Sequence, residues 1–108
     1  MRHKENAVVF KALCDEKRLE ILEWLRDGEK CACVLIDQID IAQSALSYHM
    51  KILCQSGIVE SRNDGRFTLY RISDSGSFYA KKLLEELLLP NDKQISNEEY
   101  FAKLKANG

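Results

Sequence analysis

The sequence predicts a mainly α fold with one small β element: about five helices and a two-stranded β-hairpin. Three observations predict it. Apolar residues recur at helical spacing in several segments between residues 7 and 89. The stretch Asn63-Asp64-Gly65-Arg66 parts two short runs rich in β-branched and aromatic residues. The one proline, Pro90, limits the last strongly periodic segment.

The elements follow in order. Ala7 to Leu13 reads as a short first helix, with Ala7, Val8, Phe10 and Leu13 apolar. Asp15 suits the N-cap of a second helix, with Glu16 favourable in its first turn. That helix carries Leu19, Ile21, Leu22 and Leu25 at helical spacing, and Gly28 is its stop signal. Cys33 to Ile39 reads as a short third helix with Val34, Leu35 and Ile39 inward, and Asp40-Ile41-Ala42 as a tight connection. Gln43 to Gln55 reads as the fourth helix, ended by Ser56-Gly57. Ile58-Val59-Glu60-Ser61-Arg62 and Phe67-Thr68-Leu69-Tyr70-Arg71-Ile72 read as strands, joined by a turn in which Asp-Gly supplies positive φ. Asp74 or Ser75 is expected to cap a fifth helix containing Phe78, Leu83, Leu84, Leu87 and Leu88. Residues 1–89 form the expected domain. Residues 90–108 form a polar tail, with room for a short helix from Ser96 to Leu104.

The order helix, turn, helix, hairpin is the plan of a winged helix-turn-helix. In that plan the second helix of the pair enters the major groove of DNA. The fourth helix has the faces this requires. Leu46, Met50 and Leu53 make a buried stripe, and Ser44, Ser47, Tyr48 and Lys51 make a polar one opposite. Short side chains allow close approach: Ser44 and Ser47 can bond phosphates or bases, and Gln43 an adenine edge. Tyr48 can meet phosphate or a thymine methyl, and Lys51 phosphate or guanine. Arg66 at the hairpin tip is placed to reach an adjacent groove or backbone. His49 borders the apolar stripe, so both DNA contact and a packed structural role stay open. The chain's net charge is −1, but residues 43–73 carry Lys51, Arg62, Arg66 and Arg71 against Glu60 and Asp64, a local excess of +2. A modest excess predicts limited non-specific affinity and a moderate salt slope.

Several classes are disfavoured. No apolar run approaches the ~20 residues that cross a bilayer. No signal-peptide core follows the polar start Met1-Arg2-His3-Lys4-Glu5-Asn6, so a cytoplasmic location is expected. A thiol enzyme lacks support: there is no Cys-X-X-Cys and no Gly-rich phosphate loop, and His3 and His49 have no evident catalytic partner. No enzyme activity, organic cofactor, membrane partner or protein substrate is expected.

Several separated stretches resemble the ArsR/SmtB family of metal-sensing repressors, most closely its arsenic-responsive branch. They are Phe10-Lys11-Ala12-Leu13, Lys17-Arg18-Leu19-Glu20-Ile21-Leu22, the run Gln43 to Leu53, Gly57-Ile58-Val59, and Gly65-Arg66 with Tyr70-Arg71-Ile72. The resemblance covers residues 7–89. It implies a homodimeric winged-helix repressor that leaves double-stranded operator DNA when its effector binds, with the first and fifth helices at the dimer interface. Cys31 and Cys33 match the Cys-X-Cys that the thiol-sensing branches carry at the start of the third helix. Thiolates select soft acceptors: As(III) or Sb(III), with Cd(II) or Pb(II) less suited. A helix N-terminus favours the thiolate form.

Two departures bear on the ligand set. A third cysteine often stands where this chain has Ile36, and residues 1–13 contain none. As(III) tolerates two protein thiolates and an exogenous ligand, whereas Cys14 or Cys54 is the alternative third ligand, from the same or the partner subunit. Both also suit small packed residues. The family's second metal site needs histidines on the fifth helix, and none follows His49. In an ideal helix, positions i and i+2 point apart, so joint ligation by Cys31 and Cys33 requires a distorted first turn. The alternative to metal sensing is a repressor switched by thiol oxidation or reactive sulfur species. Because a disulfide between Cys31 and Cys33 is expected to be strained, Cys14 or Cys54 is the expected partner there. A winged-helix protein-interaction module is the remaining reading, and the polar Ser/Tyr/Lys face opposes it.

Overall fold

The computed structural model describes residues 2–107. The elements are α1 (His3–Ala12), α2 (Glu16–Leu25), β1 (Lys30–Cys31), α3 (Ala32–Ile39), α4 (Gln43–Gln55), β2 (Val59–Asp64), β3 (Phe67–Ile72), α5 (Asp74–Leu88) and α6 (Asn97–Asn107). The architecture is the expected one, a helical body with a β-hairpin. Two additions stand out. The tail helix forms, and a two-residue strand, β1, turns the hairpin into a three-stranded antiparallel sheet of order β1-β3-β2.

Local chemistry sets the boundaries. The Asp15 carboxylate caps α2 by accepting from the Arg18 backbone N–H at 3.1 Å. Asp40 ends α3 in the left-handed region, at φ 54°. Gly65 has φ 61° in the β2–β3 turn, where a side chain would be strained. The cap of α5 differs from expectation. Ser73 holds it, with its hydroxyl accepting from Gly76 N–H at 3.1 Å, and Asp74 is the first helical residue. Gly76 has its own requirement: a Cβ there would lie 1.7 Å from the Gly57 carbonyl oxygen. The start of α5 therefore packs directly on the backbone that follows α4.

The core joins Val9 and Ala12 of α1, Ile21 and Leu25 of α2, Leu35 and Ile39 of α3, and Leu46, Met50 and Leu53 of α4. Ile58, Val59 and Leu83 close it from the hairpin and α5. One inward assignment, that of Val34, is corrected, and the apolar pattern of α2 is resolved into an inward and an outward part. Leu19 is 52% exposed, and Arg18 takes the inward place on α2. Arg18, Ile21 and Leu25 form an i, i+3, i+7 set, and Leu19 lies one position off that line. Val34 is also exposed, because α3 turns Leu35 and Ile39 inward.

Candidate DNA interface and thiol site

The recognition face is assembled on α4. Its three buried residues, Leu46, Met50 and Leu53, anchor it to the body. Gln43, Ser44, Ser47, Tyr48 and Lys51 are all exposed on the remaining surface. Arg66 is exposed in the turn between β2 and β3. Beyond Val59 every residue of β2 is exposed, so the hairpin stands out from the body as a ribbon.

His49 is placed differently from its neighbours. Its side chain is only 12% exposed, and its Nδ1 accepts from Arg18 Nη1 at 3.0 Å. The packed role is the one that the structure shows for His49, with its Nδ1 turned to Arg18. The Asp15 carboxylate lies 3.7 Å from the same ring nitrogen. Asp15 titrates below the ordinary carboxylate range because the Arg18 backbone N–H bonds it, helped by the nearby His49 and Arg18 side chains.

Arg18 is a structural link beside the recognition helix that periodicity did not single out. It is 6% exposed. Its Nε donates to the Ala12 carbonyl at 2.8 Å and its Nη2 to the Lys11 carbonyl at 3.2 Å. These are last-turn carbonyls of α1, beyond the helix's own i→i+4 ladder; the Lys11 carbonyl also accepts from the Cys14 N–H at 3.1 Å. One guanidinium thus ties α1, α2 and α4 together. The sequence signal was present: a basic residue aligned with Ile21 and Leu25 on the core face.

The charge pattern also sharpens. Arg62 donates two hydrogen bonds to Glu29, at 2.9 and 2.7 Å, and Arg71 pairs with Glu60. The carboxyl of Glu29 is held below its usual value by the Arg62 hydrogen bond. Among the described residues Lys51 and Arg66 join no ion pair. Of the segment's charges, Lys51 on the helix and Arg66 and Asp64 at the ribbon tip are therefore left outside ion pairs.

Cys31 lies at the hinge of this assembly. It is both the end of β1, paired with Leu69 of β3, and the N-cap of α3. Its backbone is extended (φ −66°, ψ 145°), and its sulfur accepts from the Cys33 N–H at 3.2 Å. Cys33 sits in the first helical turn, 5.2 Å away between Cα atoms, and the two sulfurs are joined. This corrects two expectations. No unwinding is needed to bring the sulfurs together, because Cys31 stands outside the helix and the i, i+2 divergence does not apply. In this structure each sulfur is joined to the other, and Cys14 and Cys54 are free.

Those two cysteines lie elsewhere. Cys14 is exposed in the α1–α2 turn, and Cys54 is half-buried against the core. Burial pushes the Cys54 thiol up, which disfavours the thiolate a ligand requires. Among the described residues no third His, Cys, Asp or Glu gathers with Cys31 and Cys33. Ile36 packs against the core.

A helical body, an anchored helix with a polar outer face and a projecting hairpin define a winged helix-turn-helix DNA-binding protein. Residues 15–61 match the family model described as bacterial regulatory protein, arsR family. The arsenical resistance operon repressor of Staphylococcus xylosus is 36% identical over 79% of this chain and 82% of its own length. The repressor of the same name from Staphylococcus aureus is 41% identical over 68% of this chain and 70% of its own. An ArsR-like transcriptional regulator from Rhodococcus sp. RHA1 superposes with a TM-score of 0.70 at 30% identity, covering 97% of this chain and 88% of that one. The chain belongs to the ArsR family: it is a DNA-binding transcriptional repressor, not an enzyme. No helix among the described residues is long and apolar enough to cross a membrane.

Proposed function

We propose that this chain is a homodimeric, cytoplasmic repressor that releases its operator when As(III) or Sb(III) binds Cys31 and Cys33. Gln43, Ser44, Ser47, Tyr48, Lys51 and Arg66 make the DNA contacts, and His49 orients α4 from behind. The observation that carries the reading is the convergence of two sulfurs at the junction of β1 and α3. The names of the two Staphylococcus relatives support the arsenical class of effector. With two protein sulfurs, an exogenous thiol or water completes a three-coordinate As(III). Cd(II) and Pb(II), which favour more thiolates, fit less well.

The placement supplies a mechanism. A ligand gripping both sulfurs fixes the β1–α3 corner. That corner is laddered to the wing through Cys31 and Leu69, and α3 packs on α4. Both DNA-reading elements hang from it, so one geometry suits the ligand and another the operator. The coupling is reciprocal, and typical values are about 1–3 kcal/mol.

The joined sulfurs favour a second reading, in which oxidation is the signal. Two thiols then lose two protons and two electrons to a peroxide, which leaves as water, and a Cys31–Cys33 disulfide forms. One experiment separates the readings. Operator affinity is measured for reduced wild type, Cys31→Ser and Cys33→Ser, with As(III), Sb(III), Cd(II) or hydrogen peroxide. Release by As(III) from wild type alone supports the first reading. Release by peroxide alone supports the second. Equal release of both variants by As(III) places the effector elsewhere.

A further inference from the structure

The tail helix α6 poses a physical problem. It has 11 residues and buries none of them. Isolated helices below ~12–15 residues are marginal in water. Tyr100, Phe101 and Leu104, at i, i+1 and i+4 on one face, are each about half exposed. The protein is also long for its size, 69 Å in its largest extent, with a radius of gyration of 20.0 Å. A compact domain of this length has about 13 Å. The described residues of this chain leave the apolar face of α6 uncovered.

The charges of α6 indicate what covers it. Glu98 and Glu99 occupy its first turn, and Lys103 and Lys105 its second half. Laid antiparallel on a copy of itself, the acidic end of each helix meets the basic end of the other. The apolar triplets then meet between them. Such a pairing is isologous, as a two-fold dimer requires. We propose that α6 is a docking arm for a second copy of this chain, pairing antiparallel with the α6 of that copy. The inference rests on the homodimer reading and extends it beyond α1 and α5.

Full-length variants test it, with the dimer dissociation constant measured by sedimentation without DNA. Tyr100→Ser/Phe101→Ser/Leu104→Ser raises that constant at least about tenfold. Glu98→Lys/Glu99→Lys and Lys103→Glu/Lys105→Glu each weaken the dimer, and an equimolar mixture of the two recovers it as a heterodimer. Loss of favourable charge on the helix dipole alone produces no such recovery. A wild-type dimer whose constant none of these variants moves overturns the arm, as does a mixture that fails to recover. A wild type that stays monomeric instead overturns the homodimer reading, and the arm with it.

Discussion

Arg18 shows how one side chain links the parts of a repressor. Its guanidinium satisfies two α1 carbonyls and the ring nitrogen of His49, and almost no water reaches it. Replacing it with Met keeps the apolar stem but removes the donor to the Ala12 carbonyl and to the His49 ring nitrogen, while the Lys11 carbonyl keeps the Cys14 N–H. Hydrogen bonds to charged groups contribute about 1.5–3 kcal/mol each, and they do not add fully. Arg18→Met is therefore expected to lower unfolding free energy by about 3 kcal/mol in urea titration. A loss below about 1 kcal/mol would show that the network is dispensable. The exposed cations divide the other way. Lys51→Ala should flatten the salt dependence of operator binding by about one unit of slope, as loss of one phosphate contact does. Arg62→Ala should leave the slope near wild type, because Arg62 is already committed to Glu29. Equal slopes for the two variants would mean that ion pairing on the sheet does not hold in the complex.

At the scale of elements, the helices were legible because periodicity and caps coincide. Asp15, Gly57 and the Asp64-Gly65 turn all stand where the chain's pattern placed them. Three features were less legible, each for a physical reason. Strand β1 is two residues long and has no pattern of its own; its partner β3 defines it. That hidden strand is also why the Cys31–Cys33 geometry was misjudged, since it holds Cys31 extended. Spacing alone leaves the inward face of α2 open, because Leu19, Ile21, Leu22 and Leu25 make a broad apolar arc, and the core selects the line through Arg18. The expected α5 caps were Asp74 and Ser75, and Ser73, a neighbour of equal capping capacity, holds the place instead. Gly76 gives this junction a test with opposed signs. Helix propensity alone predicts that Gly76→Ala stabilises by about 1 kcal/mol. The contact with the Gly57 carbonyl predicts instead a loss of about 1–3 kcal/mol, the usual cost of overpacking. Thermal or urea unfolding reads the sign directly.

At the scale of the whole molecule, the decisive feature is how little α5 buries. Of its 15 residues only Leu83 is buried, while Phe78, Leu84, Leu87 and Leu88 remain 40–72% exposed. In the proposed homodimer this apolar surface is the interface. It lies beside α1, to which α5 is tied by the Tyr79 hydroxyl donating to Asn6 Oδ1 at 2.6 Å. The two sides of α5 should therefore respond oppositely to substitution. Leu83→Ala removes a side chain from the protomer core and should cost about 2–5 kcal/mol of folding stability. Leu84→Glu places a charge on the outer side and should leave the protomer helical and folded by circular dichroism. It should nonetheless sediment as a monomer and bind the intact operator at least about 100-fold more weakly, because each protomer then holds one half-site without the other. A Leu84→Glu protein that stays dimeric and keeps its operator affinity would remove the outer face of α5 from the interface. The apolar stripe would then need another partner.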